Sequence, residues 1–363
     1  MPKKIKIVCV VGARPNFIKI APLFKEFKKY KKIKPILVHT GQHYDFKMSE
    51  IFFKNLRIPK PNYNLKVGSG SHSRQTAMIM MRLEPIIYKE KPNLIMVFGD
   101  VNSTLAGALA AAKLNIPVAH IEAGLRSYNK EMPEEINRVL TDHISDFLFC
   151  PTETAVKNLE KEGIKKGIYN TGDIMYDAFL KNIKIARKKS KILKNLKTKP
   201  NNYVLLTIHR PSNTDNLKKL EEIIKAVGES GEEIVFPVHP RTRKQLRKIS
   251  LLKYNNIKII KPVGYLDMLV LEKNSKKILT DSGGIQKEAY WLKKPCITLR
   301  EETEWPETVK DKWNILVGNG KRKIIKAINN FNPRSVQKKY FGNGRTAEKI
   351  VKIITRNIDE RFK

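Results

Sequence analysis

Three acidic residues stand where proton chemistry can be done: Asp100 in Phe98-Gly-Asp, Glu122 in His120-Ile-Glu-Ala-Gly-Leu-Arg126, and Glu134 in Met132-Pro-Glu-Glu-Ile-Asn-Arg138. Carboxylates gathered in one crevice serve as general acids and bases. A second set of residues suits an anion. Gly12-Ala-Arg14-Pro-Asn, with Lys19 soon after, places two cations at a helix start, as a diphosphate would require. Thr280-Asp-Ser282-Gly283-Gly284 opens a helix whose N–H groups, with the Ser282 hydroxyl, can approach a phosphate, and Glu288 one turn later can accept from ribose hydroxyls. His209-Arg210 can hold a leaving diphosphate and donate to its bridging oxygen. Each has a plainer reading: Glu134 and Glu135 complement a helix dipole, Asp100 makes a turn, Arg14 and Lys19 are surface cations, DSGG is a tight turn and His209 ends a strand.

The elements that must position these residues follow from the pattern. Residues 93–98 are a short apolar run, Gly99-Asp100 is a turn, and Ser103 is suited to cap an Ala- and Leu-rich helix reaching Leu114. A second apolar run, 116–121, ends at Glu122. Strand, helix, strand implies a right-handed crossover between parallel strands, so Asp100 and Glu122 both lie past carboxyl ends, where open α/β sheets bind ligands. Pro133 suits a first helical turn, which puts Glu134 and Glu135 at the N-terminus of a helix running to Ser145.

The same alternation runs through both halves of the chain. KIKIVCVVG, a helix over 17–31, PILVHTGQ, the crossover unit, DFLFCP and a helix over 152–162 make up the first half. YVLLTIHR, EEIVFPVHP, NIKIIKPVG, KKILTDSGG and KPCITLR are the strand-like runs of the second, separated by helical segments such as 215–227 and 285–292. This predicts an α/β protein of two Rossmann-like domains facing across a cleft, with parallel sheets covered by helices on both faces: 1–175, a Lys-rich linker over 176–202, and 203–345. The segment from 346 to 363 spaces Ala347, Ile350, Val351, Ile354 and Ile358 at helical intervals and is expected to pack back on the first domain.

Composition excludes several classes. No run approaches membrane-spanning length, and the apolar start is broken by Lys6 and followed by Gly-Ala-Arg-Pro, so it reads as a first strand rather than a signal peptide. The 3 cysteines, Cys9, Cys150 and Cys296, lie in apolar runs without C-x-x-C spacing, which fits reduced, buried thiols in a cytoplasmic protein. Lys and Arg number 71 against 35 Asp and Glu, a formal charge of +36. The lysines are scattered in pairs with no aromatic-interleaved stripe, so the excess reads as general composition that attracts anionic small substrates rather than as a nucleic-acid surface. His39 and His43 flank Gly41 with no third ligand, so no metal is expected.

Taken together, GARPNFIK (12–19), FGD (98–100), HIEAGLR (120–126), PEEINR (133–138), IHR (208–210), DSGGIQKE (281–288) and LREETEWPE (299–307) resemble the non-hydrolysing UDP-N-acetylglucosamine 2-epimerases, in order along essentially the whole chain. The resemblance implies the GT-B fold, a homodimer, no cofactor, and interconversion of UDP-GlcNAc with UDP-ManNAc by loss and re-addition of UDP through 2-acetamidoglucal, in a site assembled by domain closure. It assigns Asp100, Glu122 and Glu134 as catalytic carboxylates and His209 as the catalytic histidine. Arg14, Lys19, Arg210, Ser282, Gly283, Gly284 and Glu288 match nucleotide-contacting positions, while Tyr265 and Met268 fall around the uracil, Met268 where an aromatic is often found.

Two departures stand out. Trp305 occupies a position that is Arg in many bacterial members, so a cationic contact is missing or replaced by stacking. A second, substrate-activated pocket in bacterial members is lined by Gln-His-x-Gln, which here reads Gln42-His43-Tyr44-Asp45; Gln42, His43, Arg210 and His239 are the residues that would line it. The alternatives are an epimerase of a modified UDP-GlcNAc and a GT-B glycosyltransferase, although retaining transferases often carry Glu where this chain has Thr280.

Overall fold

The computed structural model describes residues 4–42, 58–249 and 254–361, side chains of Arg14 and 359–361 excepted. The chain forms two compact units: Met1–Leu180 with Lys339–Lys363, and Lys181–Lys338. Expected position His43 lies outside the described residues.

The first unit alternates β1 (Ile5–Val11), α1 (Arg14–Phe27), β2 (Ile33–His39), β3 (Tyr63–Asn64), α2 (His72–Glu90), β4 (Leu94–Phe98), α3 (Asn102–Lys113), β5 (Val118–Ile121), α4 (Pro133–His143), β6 (Phe147–Cys150), α5 (Glu153–Lys161), β7 (Ile168–Asn170) and the first half of α6 (Ile174–Lys189), within which the unit ends. Its strands are parallel in the order β3-β2-β1-β4-β5-β6-β7. Helices on both faces bury the central strands completely, which is why IVCVV and LIMVF read as unbroken apolar runs. Ile7 pairs with Leu94 and Phe98 with Ile121, so β1, β4 and β5 end level with one another. The strand order reverses between β1 and β4, and the turns at Gly12 and Gly99 leave that switch point together.

The second unit repeats the plan: α7 (Ile192–Leu196), β8 (Val204–Thr207), α8 (Pro211–Thr214), α9 (Leu217–Gly228), β9 (Ile234–Pro237), α10 (Pro240–Leu246), β10 (Ile257–Ile260), α11 (Tyr265–Asn274), β11 (Lys277–Thr280), α12 (Gly283–Trp291), β12 (Cys296–Thr298), α13 (Pro306–Lys310), β13 (Asn314–Leu316) and α14 (Lys321–Asn330). The order β10-β9-β8-β11-β12-β13, again parallel, places its switch point between β8 and β11. His209 follows the first of these strands and Asp281-Ser282 the second. The last helix, α15 (Thr346–Arg361), belongs to the first unit and packs on α1, burying Ala347, Ile350, Val351, Ile354 and Ile358.

The stretch expected as a linker, 176–202, contains the boundary between the two units and holds most of α6 and all of α7. The Lys-rich outer face masks an inner stripe of Ile174, Ala178, Phe179, Ile183 and Ala186, all buried. Ser103 lies inside α3 and does not cap it; the cap residue is Val101, and the Ser103 backbone N–H donates to the Gln42 side chain at 3.1 Å. Helix α1 starts at Arg14 because Pro15 pre-sets its first turn and the Asn16 side chain accepts the Gly12 and Ala13 N–H groups at 3.0 and 3.1 Å.

Candidate active site

In the first unit, Asp100 and Glu122 leave adjacent strands at the same edge. Asp100 Oδ2 accepts from Arg138 Nη2 at 2.8 Å and Nε at 3.2 Å, and its backbone carbonyl accepts from Asn137 at 2.9 Å. Helix α4 therefore grips Asp100 by both side chain and backbone. Glu122 is buried, and its backbone sits at φ 77°, a left-handed conformation that costs a non-glycine residue free energy and is typical of functional sites. Its carboxylate accepts from the buried ammonium of Lys19 on α1. Gly99 lies beneath this pair: with φ 65° and Lys19 Nζ 2.5 Å from where a Cβ would stand, a side chain there would be strained and would have to displace the ammonium.

The two glutamates of α4 have different jobs. Glu135 is buried and accepts from the Ser127 N–H and hydroxyl at 2.9 Å, the Tyr128 N–H at 2.8 Å and Arg138 Nη1 at 2.6 Å. It is spent on holding the loop after Arg126 and on orienting Arg138. Glu134 is half-buried in the first turn of the helix. Arg14 is the first residue of α1.

Behind this set stand residues that carried no assigned role in the sequence, although His120 and Arg126 lie in the HIEAGLR motif. Buried His120 meets Asp142 Oδ1 at 2.7 Å through Nδ1 and the Gly99 carbonyl at 2.8 Å through Nε2. Asp142 Oδ2 accepts from Arg126 at 2.7 Å and from the Gly124 N–H at 3.1 Å. Burial by itself would raise the Asp142 carboxyl, but His120 and Arg126 hold it below the usual carboxylate range.

In the second unit, Asp281 is the organiser that sequence reasoning missed. Fully buried, it accepts the His209 N–H at 3.0 Å and the Arg210 N–H at 2.9 Å, and its Oδ1 lies 3.0 Å from His209 Nδ1. With Nδ1 so engaged, Nε2 of the 39 % exposed His209 side chain is the nitrogen left for a ligand. Burial opposes the Asp281 charge, yet His209 and the two N–H groups keep its carboxyl below the ordinary range. Ser282 is the cap residue of α12 but makes no side-chain capping bond, so its hydroxyl is not spent on the helix. Half-buried Gly283 and Gly284 form the first turn. A Cβ on Gly283 would come within 3.3 Å of the Trp305 indole nitrogen, so a side chain there would require Trp305 to give by a few tenths of an ångström.

Tyr265 and Glu288 come together, the phenol donating to Oε1 at 2.7 Å, while Met268 packs half-buried against the core beside them. Trp305 is buried, with the ammonium of buried Lys287 3.9 Å above its ring. The cation near this position thus comes from α12, and one face of the indole is already covered. Among the residues expected to line a second pocket, Arg210 and exposed His239 lie at the same sheet edge, the rings of His209 and His239 6.0 Å apart. Gln42 uses its side-chain oxygen to accept from the Ser103 hydroxyl at 2.6 Å.

Two doubly wound parallel sheets, each with chemistry-bearing residues at its switch point, define a GT-B-type nucleotide-sugar protein. A sequence profile described as UDP-N-acetylglucosamine 2-epimerase matches residues 25–355. The chain belongs to that family. It is 58% identical over 356 residues to a UDP-N-acetylglucosamine 2-epimerase homolog of Methanococcus maripaludis, covering 96% of this chain and 99% of the relative. A UDP-2,3-diacetamido-2,3-dideoxy-D-glucuronate 2-epimerase of Pseudomonas aeruginosa is 43% identical, covering 97% and 100%. The crystal structure of Methanocaldococcus jannaschii UDP-GlcNAc 2-epimerase in complex with UDP-GlcNAc and UDP superimposes with TM-score 0.91 at 48% identity, covering 97% and 100%.

Proposed function

We propose that this chain is an enzyme that reversibly epimerises UDP-GlcNAc at C2 to UDP-ManNAc, without cofactor, by eliminating UDP to 2-acetamidoglucal and adding it back. The C2 proton is not beside a carbonyl, so a base removes it only once departure of UDP has built positive charge at C1. Returning a proton to the other face then requires a second acid/base group. The observation that carries the reading is the convergence of Asp100 and Glu122 at level strand ends, with the half-buried Glu134 on the helix that grips Asp100. On the leaving-group side, the His209 Nε2 donates to the bridging oxygen while Ser282, Gly283, Gly284 and the cations Arg14 and Arg210 bind the diphosphate. Tyr265, Met268 and Glu288 take the nucleoside. The enzyme acts as a homodimer and supplies ManNAc units for surface polysaccharide or glycan synthesis.

In D2O the protein should place deuterium at C2 of both epimers; recovery of both sugars with protium at C2 would rule out the route. A second reading, a substrate modified at C3 or C6, is favoured by the Pseudomonas aeruginosa relative. Product analysis across a panel of UDP-sugars separates the two.

A further inference from the structure

His120 has no role in the chemistry just described, yet it sits one peptide away from it. Its side chain is wholly buried, as is that of Asp142. Nδ1 faces a carboxylate oxygen at 2.7 Å and Nε2 faces the Gly99 carbonyl at 2.8 Å. Carboxylates and carbonyls only accept hydrogen bonds, so a ring satisfied on both sides must donate from both nitrogens. A neutral ring would turn a lone pair toward one of these oxygens, with no water to intervene. A ring donating on both sides would find its charge answered within the fold. Asp142 also binds Arg126, whose guanidinium donates to both oxygens of Glu162 at 2.6 and 2.7 Å, and solvent is reached only at Glu162.

We infer that His120 is a buried imidazolium that positions the Asp100 turn by donating to the Gly99 carbonyl. The peptides flanking Gly99–Asp100 are held separately: the Gly99 N–H donates to the Ile121 carbonyl at 2.9 Å, the Asp100 carbonyl accepts from Asn137, and the Lys19–Glu122 pair lies over the Gly99 α-carbon. Among the described residues, the contact to the Gly99–Asp100 peptide's own carbonyl comes from His120. Losing it frees the plane that aims the Asp100 carboxylate, while Asp100 keeps its arginine. The groups facing the ring are Asp142 from α4 and the carbonyl at the end of β4, with Arg126 next in line.

The protonation claim is independent of the proposed reaction; the kinetic arm rests on it. In protein labelled with 15N in its 7 histidines, one ring should show both nitrogens at imidazolium frequencies at neutral pH, and that signal should be missing from His120→Gln. A neutral tautomer at His120 would overturn the inference. For His120→Gln, kcat should fall tenfold or more while the Kd for UDP stays within twofold, because the UDP-binding residues of the second unit are untouched. Unchanged kcat, or a parallel loss of UDP affinity, would make the residue merely structural. If wild-type protein shows the imidazolium signal but no C2 exchange, the reaction assignment fails and the charge assignment stands.

Discussion

At the scale of single residues, adjacent side chains of one type are separated by their partners. Glu134 and Glu135 are indistinguishable as sequence, but four donors converge on Glu135 and the helix end is left to Glu134. Glu134→Gln should therefore lower turnover about 10²- to 10⁴-fold, the range for a lost acid/base group, with stability unchanged. Glu135→Gln should instead cost about 1–3 kcal/mol of stability by leaving buried donors poorly matched. Denaturant midpoints and steady-state rates on the two variants check this; a stable, fully active Glu134→Gln would remove it from the carboxylate set. Asp142 and Asp281 give the pH dependence. Both carboxyls are held below their unfolded value of about 4, so their stabilisation is complete above about pH 5 and is lost as pH falls through the depressed values. Thermal melts from pH 6 to pH 2.5 should show that loss, and Asp281→Asn should shallow it.

At the scale of elements, strand ends were legible and helix partners were not. Apolar runs closing on Gly-Asp, Glu-Ala-Gly, His-Arg or Asp-Ser-Gly locate a ligand edge because parallel strands expose their carboxyl ends. Arg138 on Asp100, Asp281 on His209 and Asp142 on His120 join residues 38, 72 and 22 positions apart, so no local period announces them. Helix α6 was hidden for another reason: its lysines dominate the reading, while the buried stripe beneath carries the fold. That helix also supplies Asp177, which accepts the Thr346 and Ala347 N–H groups at 3.1 and 2.9 Å and so satisfies the start of α15. Asp177→Ala should cost about 1 kcal/mol. Ile354→Ala, which empties the buried face of the same helix, should cost about 2–5 kcal/mol. Equal and negligible losses by urea denaturation would show that α15 contributes little to the first unit.

At the scale of the whole molecule, the formal charge of +36 needs a physical reading. Among the described residues no helix is long and apolar enough to cross a membrane. Many of the basic groups nearest the candidate site are already matched: Lys19 by Glu122, Arg126 by Asp142 and Glu162, Arg138 by Asp100 and Glu135, and Arg300 by Glu302 and Glu304. Among the described residues, much of the excess lies in exposed lysines scattered along the chain. A scattered excess binds polyanions only through counterion release, and for about 6–10 phosphate contacts that affinity falls about 10³- to 10⁵-fold between 50 and 200 mM salt. Filter binding of duplex DNA or RNA should accordingly be measurable at 50 mM salt and gone by 200 mM. UDP, which on the proposed reading meets a few donors at two helix starts and the His209 edge, should lose far less affinity over the same range. Nucleic-acid binding that stayed tight at 200 mM salt would mean that the lysines form a built surface, and that the charge serves a second partner rather than the bulk solution.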